Sequence, residues 1–516
     1  MSTYNFSLYH KFLEIAKSNK NKIALQYPDG RSYSFGEISR LAEGLAEHFY
    51  QKGIRKGDLI CIMGDKVIED YVTILASLKI GSIYTFLDPK SPIARLEKIL
   101  VKCSPKAIIS KHFSGLESFI SNTNCLTINK NSLLEAVNNK RNFESQLTGD
   151  NAAYVMFTSG STGIPKGATI SHDNVLKFIE WAGDEFEIDQ FTVATAINPI
   201  YFDNSVYDFY ANIFNGATLV VFRQADLEDP FRLVEIVKQY KCSHWFSVPS
   251  LLIYLQGIKA IELDNTMPLR KIIFGGEGFP KSKLKKLIDC YSEKTKFYNV
   301  YGPTECTCIC SSYEIDNEDF KDINGYPPIG KLANNFDLFL LNSTILENGD
   351  TKGELFLMGP GVGKGYYKDQ LKSEEVFIQN PTNLSYREFG YKTGDIFIQK
   401  TSDGKLYFSH RKDNQIKHMG YRIELEEIEL AANSINFIKE AAAIHVSSNE
   451  VSKIYLVVGV DSKDGELAPK IKDNLIKQLP AYMVPSKIIS MENLPKNQNG
   501  KIDRISLKMQ IERLSQ

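Results

Sequence analysis

The sequence lacks the features that direct a protein into a membrane or an oxidising compartment. No apolar run reaches the roughly 20 residues that span a bilayer, and residues 1–22 contain no signal-peptide core. The eight cysteines are scattered without the spacing of a disulfide framework. These absences predict a cytoplasmic protein with reduced thiols and no membrane partner.

Charge of one sign is lacking as well. The 61 basic and 62 acidic residues leave a net charge of −1, and no local basic patch stands out. We therefore predict no nucleic-acid partner, because no field would attract a phosphate backbone. Internal repeats and low-complexity segments are also absent, so the 516 residues are expected to form about two to four globular domains.

The chain does contain a regular alternation of apolar runs and helical segments. Short apolar runs followed by turn signals predict buried strands of a mostly parallel sheet. The pattern predicts an α/β fold whose large domain is built from βαβ-type sheets. The predicted strands are residues 58–64, 84–87, 107–110, 193–198, 218–222, 244–248 and 271–274, and the predicted helices are 67–80 and 93–102.

The pattern changes in the last third of the chain. Residues 353–358 alternate in polarity, as in a smaller β-rich subdomain, and the charged residues 411–414 suit an exposed linker. Beyond the linker we predict helices at 424–434 and 467–478, strands at 441–446 and 454–460, and a loop at 495–503. The predicted organisation is a large domain, residues 1–412, and a small mobile α+β domain, residues 413–516.

The segment from Thr158 to Gly167 reads TSGSTGIPKG. Its glycines let backbone N–H groups approach an anion, and its hydroxyls and ammonium add donors. A Walker loop needs glycine before the lysine and a hydroxyl after it, but Pro165 and Gly167 stand there. A surface turn is the alternative interpretation. The predicted phosphate-binding residues are Thr158, Ser159, Gly160, Ser161, Thr162, Gly163 and Lys166.

This loop resembles the signature of the adenylate-forming superfamily, which includes acyl-CoA synthetases, luciferases and the adenylation domains of nonribosomal peptide synthetases. Further segments resemble the family's motifs in the same order: YNVYGPTE at 298–305, YKTGD at 391–395, RKD at 411–413, GYRIELEEIE at 420–429, LPAYMVP at 479–485 and NGKIDR at 499–504. The resemblance extends from residue 32 to residue 504. It implies a ligase that uses ATP and Mg²⁺.

The resemblance implies roles for the nucleotide-binding residues. Tyr301 would stack on adenine, Thr304 would contact phosphate, and Glu305 would be a catalytic residue that binds Mg²⁺. Asp395 would hold the ribose hydroxyls, and Arg411 would touch ribose or phosphate, with a solvated linker charge as the alternative. The further positions implied for ATP are Gly276, Glu277, Asn299, Gly302 and Tyr407.

Two implied roles concern the small domain. Asp413 would be the hinge, although His410 stands where the family has glycine. Lys501 would be the catalytic lysine that bridges the substrate carboxylate and the α-phosphate, with an exposed loop lysine as the alternative. In a second half-reaction the small domain would rotate, Lys501 would withdraw, and the Gly420 face would line a tunnel for a thiol.

The resemblance also implies that the acid is an amino acid. Asp203 resembles the aspartate that binds the substrate's α-ammonium in a charge-assisted pair, with capping of the following helix as the alternative. The ring of Phe274 predicts a short pocket and a small side chain. The implied pocket positions are Asp203, Asn204, Tyr207, Ser247, Ile272, Phe274, Val300, Cys308, Ile309 and Lys501.

The segments at 274–277 and 420–427 resemble free-standing D-alanine–carrier-protein ligases. Those ligases carry cysteine where Gly275 stands, so the enantiomer stays open, and ligases for L-proline or other small amino acids are further candidates. Because the chain ends soon after Lys501, we expect a phosphopantetheinylated carrier protein to act in trans. An acyl-CoA ligase is the alternative, which Asp203 disfavours. A non-catalytic nucleotide-binding module is a second alternative, which Lys501, Glu305 and Asp395 disfavour.

The run Cys306-Thr-Cys-Ile-Cys310 predicts alternate cysteines on one face of a strand. No fourth ligand lies nearby in the sequence, so packed thiols are favoured over a metal site. Cys308 is expected at the pocket wall.

Overall fold

The computed structural model describes residues 6–135, 146–262, 267–291, 293–334, 336–447, 452–461, 467–497 and 502–514. Two large, mostly parallel sheets are followed by a β-rich unit and a small α+β unit. This architecture confirms the predicted α/β fold. Within the described ranges, no helix is both long and apolar enough to cross a membrane.

The strands in chain order are β1 (Ile23–Gln26), β2 (Ser32–Ser34), β3 (Leu59–Met63), β4 (Ile83–Leu87), β5 (Ala107–Ser110), β6 (Leu126–Asn129), β7 (Ala152–Thr158), β8 (Lys166–Ser171), β9 (Val193–Ala196), β10 (Thr218–Val221), β11 (His244–Ser247), β12 (Lys271–Gly275), β13 (Lys296–Tyr301), β14 (Ser311–Glu314), β15 (Lys331–Leu332), β16 (Asp337–Ile345), β17 (Thr351–Met358), β18 (Phe377–Gln379), β19 (Phe389–Gln399), β20 (Leu406–Arg411), β21 (Gln415–His418), β22 (Tyr421–Glu424), β23 (Glu440–Ser447), β24 (Ser452–Gly459) and β25 (Lys487–Met491).

The helices are α1 (Leu8–Ser18), α2 (Phe35–Gln51), α3 (Ile68–Ile80), α4 (Ile93–Cys103), α5 (Glu117–Ser121), α6 (His172–Glu185), α7 (Asn204–Val206), α8 (Gln224–Leu227), α9 (Pro230–Gln239), α10 (Pro249–Gly257), α11 (Lys281–Ile288), α12 (Gln370–Val376), α13 (Leu425–Asn433), α14 (Leu467–Ile476) and α15 (Arg504–Leu514). A π-helical turn, Tyr207–Ala211, continues α7.

The first large sheet has the order β6-β5-β3-β4-β7-β8, and its strands are parallel except β8. The second has the order β15-β14-β13-β12-β11-β9-β10-β1-β2, with the antiparallel pairs β1–β2, β13–β14 and β14–β15 at its two edges. The largest core cluster joins both sheets with α2 and α3. Most of α3 is buried because it has apolar neighbours on several sides, so its sequence is hydrophobic around much of the helix.

Strands β16 to β20 form the antiparallel β-rich sheet that residues 353–358 predicted. Residues 412–414 then connect β20 to the hairpin of β21 and β22. In the small unit, α13 and α14 cover one face of the β23-β24-β25 sheet, and α15 packs on the other. The predicted boundary between residues 412 and 413 falls in this connection and stays a prediction.

Candidate active site

Strands of both large sheets end at one cavity. β7 ends at Thr158, β12 at Gly275 and β13 at Tyr301, and the carboxyl ends of parallel strands are the usual edge for ligand binding. The predicted residues that line this cavity are Thr158, Ser159, Asp203, Asn204, Gly276, Val300, Gly302, Thr304, Cys308, Ile309, Asp395 and Arg411. We call Asp203, Asn204, Val300 and Cys308 the acid end, and the loop 158–166 with Glu305 the phosphate end.

Asp203 stands at the acid end, directly before α7. Its Oδ2 accepts a hydrogen bond of 2.5 Å from the Thr304 hydroxyl, and its side chain makes no capping bond to the helix. Burial raises the pKa of this carboxyl, the Thr304 hydroxyl lowers it, neighbouring Glu305 raises it again, and Arg422 and Lys417 lower it from a longer distance. Asp203 lines the cavity, and no ion pair of its carboxylate occurs among the described residues.

Asp395 on β19 is held by two donors. The Tyr301 hydroxyl donates to Oδ2 at 2.6 Å, and Arg411 Nη1 donates to Oδ1 at 3.0 Å. Arg411 lies directly opposite Asp395 on β20 and forms a bidentate pair with Asp413 at 2.8 and 2.6 Å. The Arg411 side chain is therefore not a solvated linker charge, because it ties Asp395 to the predicted hinge.

Glu305 is fully buried at the phosphate end. The Tyr366 hydroxyl donates to Oε1 at 2.7 Å, and Arg422 Nη1 donates to Oε2 at 2.6 Å. Burial by itself raises the pKa of this carboxyl, but Arg422 and Tyr366 outweigh burial and lower the pKa to about 2. The group is therefore ionised, and an ionised carboxylate fits Mg²⁺, which prefers oxygen ligands.

The phosphate loop contacts the small unit as well as the cavity. The Ser159 hydroxyl donates to the Arg422 carbonyl at 2.7 Å and accepts from the Glu424 N–H at 3.1 Å. Lys166 Nζ lies 3.0 Å from Glu424 Oε1, and Lys98 Nζ donates to the Gly163 carbonyl at 3.2 Å. The remaining predicted loop residues, Gly160, Ser161 and Thr162, do not line the cavity.

Comparison with known proteins identifies the family. Residues 12–367 match the model of the AMP-binding enzyme family, and residues 427–501 match that of the AMP-binding enzyme C-terminal domain. The chain belongs to the AMP-binding enzyme family. This confirms the predicted adenylate-forming superfamily and identifies the chain as an enzyme.

Two curated relatives of this AMP-binding enzyme have similar length. The D-alanine–D-alanyl carrier protein ligase of Listeria monocytogenes is 31% identical over 503 residues, covering 93% of this chain and 95% of the relative. The L-proline–[L-prolyl-carrier protein] ligase of Pseudomonas fluorescens is 29% identical, covering 96% and 98%. Other relatives are far longer. Bacitracin synthase 1 of Bacillus licheniformis is 32% identical over 492 residues, and the chain spans only 9% of its length.

A solved structure has the same fold. The Vibrio cholerae adenylation domain AlmE, in complex with glycyl-adenosine-5'-phosphate, superposes with a TM-score of 0.80 at 21% identity and covers 99% of each chain. The likeness confirms that the AMP-binding enzyme has the fold of adenylation domains.

Four predicted pocket residues, Tyr207, Ser247, Ile272 and Phe274, do not line the cavity of the AMP-binding enzyme. Phe274 packs against Phe279, with ring centroids 4.9 Å apart, in a core cluster on the face of β12 opposite Ile273. Ser247 accepts a hydrogen bond of 2.7 Å from Trp245, which belongs to the same outer cluster, as does Ile272. The expectation that the Phe274 ring shortens the pocket is therefore corrected, since side chains alternate between the two faces of a strand.

The wall of the cavity is formed by Phe246, which the sequence did not indicate, and by the predicted residues Val300 and Ile309. Tyr207 lies behind this wall, where its ring contacts Phe246 at a centroid distance of 4.8 Å. Its hydroxyl is buried, and no hydrogen-bond partner for it occurs in the part of the chain that the structure describes.

Further predicted nucleotide residues lie around the cavity rather than in it. Glu277 accepts hydrogen bonds from the backbone N–H groups of Ser250 and Gly420, at 2.8 and 3.1 Å. Asn299 donates to a backbone carbonyl at 2.8 Å. The Tyr407 hydroxyl donates to Asp403 at 2.8 Å, in the turn before β20, so the structure does not bring this predicted ATP contact to the site.

The cysteine run is not a strand. Thr304–Cys306 forms a 3₁₀ turn, and Thr307 and Cys308 have left-handed φ values of 57° and 71°. These two residues turn the chain before β14, so the predicted alternation on one face is wrong. Cys308 lines the cavity as expected, whereas Cys306 and Cys310 lie in a different core cluster.

Lys501 lies outside the described residues. Its described neighbours belong to the small unit: Ile502 pairs with Lys496, and Arg504 forms an ion pair with Glu429. Within the described ranges, no residue from 487 onward lines the cavity. The role of Lys501 stays a prediction.

The sequence interpretation missed the residues that the small unit sends into the cavity. Gln415, Lys417 and Arg422 of the hairpin line it, as do Arg95 and Tyr482. Lys417 Nζ lies 5.3 Å from the Tyr301 ring centroid, and burial lowers the pKa of this amine while Asp395 raises it. The motif GYRIELEE indicated that the hairpin matters, but a sequence pattern does not show which side chains face the large unit.

Proposed function

We propose that the enzyme activates a small amino acid with ATP as its aminoacyl adenylate and transfers it to the phosphopantetheine thiol of a separate carrier protein. The observation that carries this proposal is the Asp203 carboxylate, which lines the cavity, accepts the Thr304 hydroxyl and forms no ion pair in the described part of the chain, although Arg422 and Lys417 act on it from a longer distance. A ligand ammonium would supply that cation in a charge-assisted pair. The named activities of the two ligase relatives support the same reaction.

The nucleotide would occupy the phosphate end. Asp395 and Arg411 would hold the ribose, and the Thr158 and Ser159 hydroxyls together with Lys166 would hold the phosphates. Glu305, with Thr304 beside it, would hold Mg²⁺. When bound, the cation would reduce the repulsion between the phosphates and the attacking carboxylate.

The chemistry has two steps. In the first, an oxygen of the substrate carboxylate attacks the α-phosphorus, and the bond to the β-phosphate oxygen breaks, releasing pyrophosphate. Asp203 would orient the acid and Lys166 the departing pyrophosphate, while Lys501 would bridge the carboxylate and the α-phosphate. In the second step, the carrier thiolate attacks the acyl carbon and AMP leaves.

The choice of amino acid would be made by the wall of Phe246, Val300 and Cys308. A bulky ring and a β-branched residue in this wall favour a small side chain.

The eight cysteines are all free thiols, which supports a reducing, cytoplasmic location.

The test is exchange of labelled pyrophosphate into ATP, with a panel of amino acids of both enantiomers beside fatty and aryl acids. We expect exchange with one or a few small amino acids and none with the other acids. Exchange only with a fatty or aryl acid would replace this proposal by an acyl-CoA ligase. The Lys501→Ala variant should retain the fold, seen by circular dichroism, and lose most of the exchange.

A further inference from the structure

The hairpin and the first turn of α13, residues 415–427, lie directly on the phosphate end; we call them the lid segment. The cavity that remains beneath the lid segment is about 70 Å³. Sites for ligands of the size of ATP commonly hold roughly 300–1,000 Å³, so this arrangement leaves no room for ATP. The contacts of the lid segment therefore show which of its side chains stand at the predicted partners of the phosphates and the metal ion.

Carboxylates of the lid segment contact the donors of the phosphate loop. Glu424 Oε1 lies 3.0 Å from Lys166 Nζ, and only 4% of the Glu424 side chain is exposed. Glu427 forms a buried ion pair with Arg95 and faces the Gly160 N–H; burial raises the pKa of this carboxyl, and Arg95 and the Gly160 N–H lower it. Two negative groups of the small unit thus occupy Lys166 and the Gly160 N–H, which the sequence predicted for phosphates, and also Arg95, which it did not.

A positive group of the same lid segment contacts the predicted metal ligand. The Arg422 guanidinium donates to Glu305 Oε2 at 2.6 Å, and its Nε donates to Gln415 at 2.7 Å. Glu305 is fully buried, so its negative charge needs a cation in each state of the enzyme. In this state the cation is Arg422.

We propose that Glu424, Glu427 and Arg422 replace magnesium pyrophosphate in this state. The two carboxylates take the place of the two phosphates, and the Arg422 guanidinium takes the place of the metal ion. This inference rests on the proposed function. Because the lid segment and the ligand use the same partners, each excludes the other. The free energy of lid docking therefore reduces the free energy of binding of magnesium pyrophosphate. The exchange assigns these three residues to the rotation of the small domain that the family resemblance implies between the two half-reactions.

A purely structural clamp would use the same ion pairs without this competition. The two interpretations differ in a binding measurement on the full-length, nucleotide-free protein. Titration calorimetry with pyrophosphate and Mg²⁺ should show about tenfold tighter binding to a Glu424→Gln/Glu427→Gln variant than to the wild type. The matched control is Glu426→Gln, whose partner is Asn414 rather than the loop, and its affinity should equal that of the wild type.

The metal half of the exchange has its own readout. Mn²⁺ binding without nucleotide, followed by electron paramagnetic resonance, should be about tenfold tighter for Arg422→Gln, because the Glu305 carboxylate then loses its competing guanidinium. Equal Mn²⁺ affinity in the variant and the wild type would overturn this half of the inference.

Hydrogen exchange on the wild type needs no variant and so does not depend on how a variant folds. Magnesium pyrophosphate should protect amides 158–167 and expose amides 415–424. Unchanged protection of the lid segment on ligand binding, or equal pyrophosphate affinity in the double variant, would overturn the competition while leaving amino-acid-dependent exchange intact. Absence of pyrophosphate binding in all variants, together with absence of exchange, would overturn the proposed function as well.

Discussion

The carboxyl groups at the two ends of the cavity have different partners, and their pKa values shift in opposite directions. At the acid end, Asp203 accepts a hydroxyl and burial raises the pKa of its carboxyl. At the phosphate end, Glu305 is paired with Arg422 and its pKa falls to about 2. Under the proposed function, the substrate would supply an ammonium to the acid end, whereas the phosphate end has an ion-pair partner, Arg422, from its own chain.

The largest expected effect comes from removing the charge at the acid end. Asp203→Asn keeps an acceptor for Thr304 but cannot pair with an ammonium, so kcat/KM for the amino acid in the exchange assay should fall about 100-fold or more. Because burial disfavours the ionised form, the free variant should unfold at the same or a higher Tm at pH 7. The gain should shrink as the pH falls and the wild-type carboxyl takes up its proton.

Activity and stability should therefore move in different directions at this position. An Asp203→Asn enzyme with normal kcat/KM would remove the ammonium assignment. A lower Tm for the variant at pH 7 would show that Asp203 has a structural partner instead.

The corresponding change at the phosphate end should lower stability. Glu305→Gln leaves Arg422 without its ion-pair partner, at a cost of about 1–3 kcal/mol in the free energy of unfolding measured with urea. The control is Glu318→Gln, which breaks a surface pair with Lys321 and should cost at most about 0.5 kcal/mol. Equal losses in the two variants would contradict the contrast between buried and exposed pairs.

The smallest expected effects come from substitutions on the two opposite faces of the strands at the acid end. Phe274→Leu should lower the free energy of unfolding by about 1 kcal/mol and leave the amino-acid preference unchanged, since its ring lies in the outer cluster. Phe246→Leu should instead widen the pocket and shift the preference towards larger side chains. A changed preference in the Phe274 variant alone would reverse this assignment.

Local patterns predicted the elements well. Residues 107–110 coincide with β5, and residues 93–102 with α4 apart from one residue, because periodicity and turn residues are encoded locally. The face of β12 was not predictable in this way. The run Ile272, Ile273 and Phe274 is apolar and buried on both sides, so no polar residue marks which side faces the cavity.

At the acid end, the backbone of a neighbouring strand leaves little space for a side chain at position 275. A Cβ added at Gly275 would lie 2.6 Å from the Val300 carbonyl oxygen. A cysteine here, as in the D-alanine ligases that the sequence resembles, would require a shift of the neighbouring strand. The sequence showed that glycine replaces cysteine at position 275, and the structure shows that the Val300 carbonyl leaves no space for the larger side chain.

The sequence alone determined the family and most of the helices and strands, because these depend on short motifs and local periodicity. Only the tertiary structure decided which charges meet. Arg422 is 117 residues from Glu305, and Glu424 is 258 residues from Lys166. These pairs depend on how the small unit packs on the large one, and a buried charge accepts whichever opposite charge that packing brings within reach.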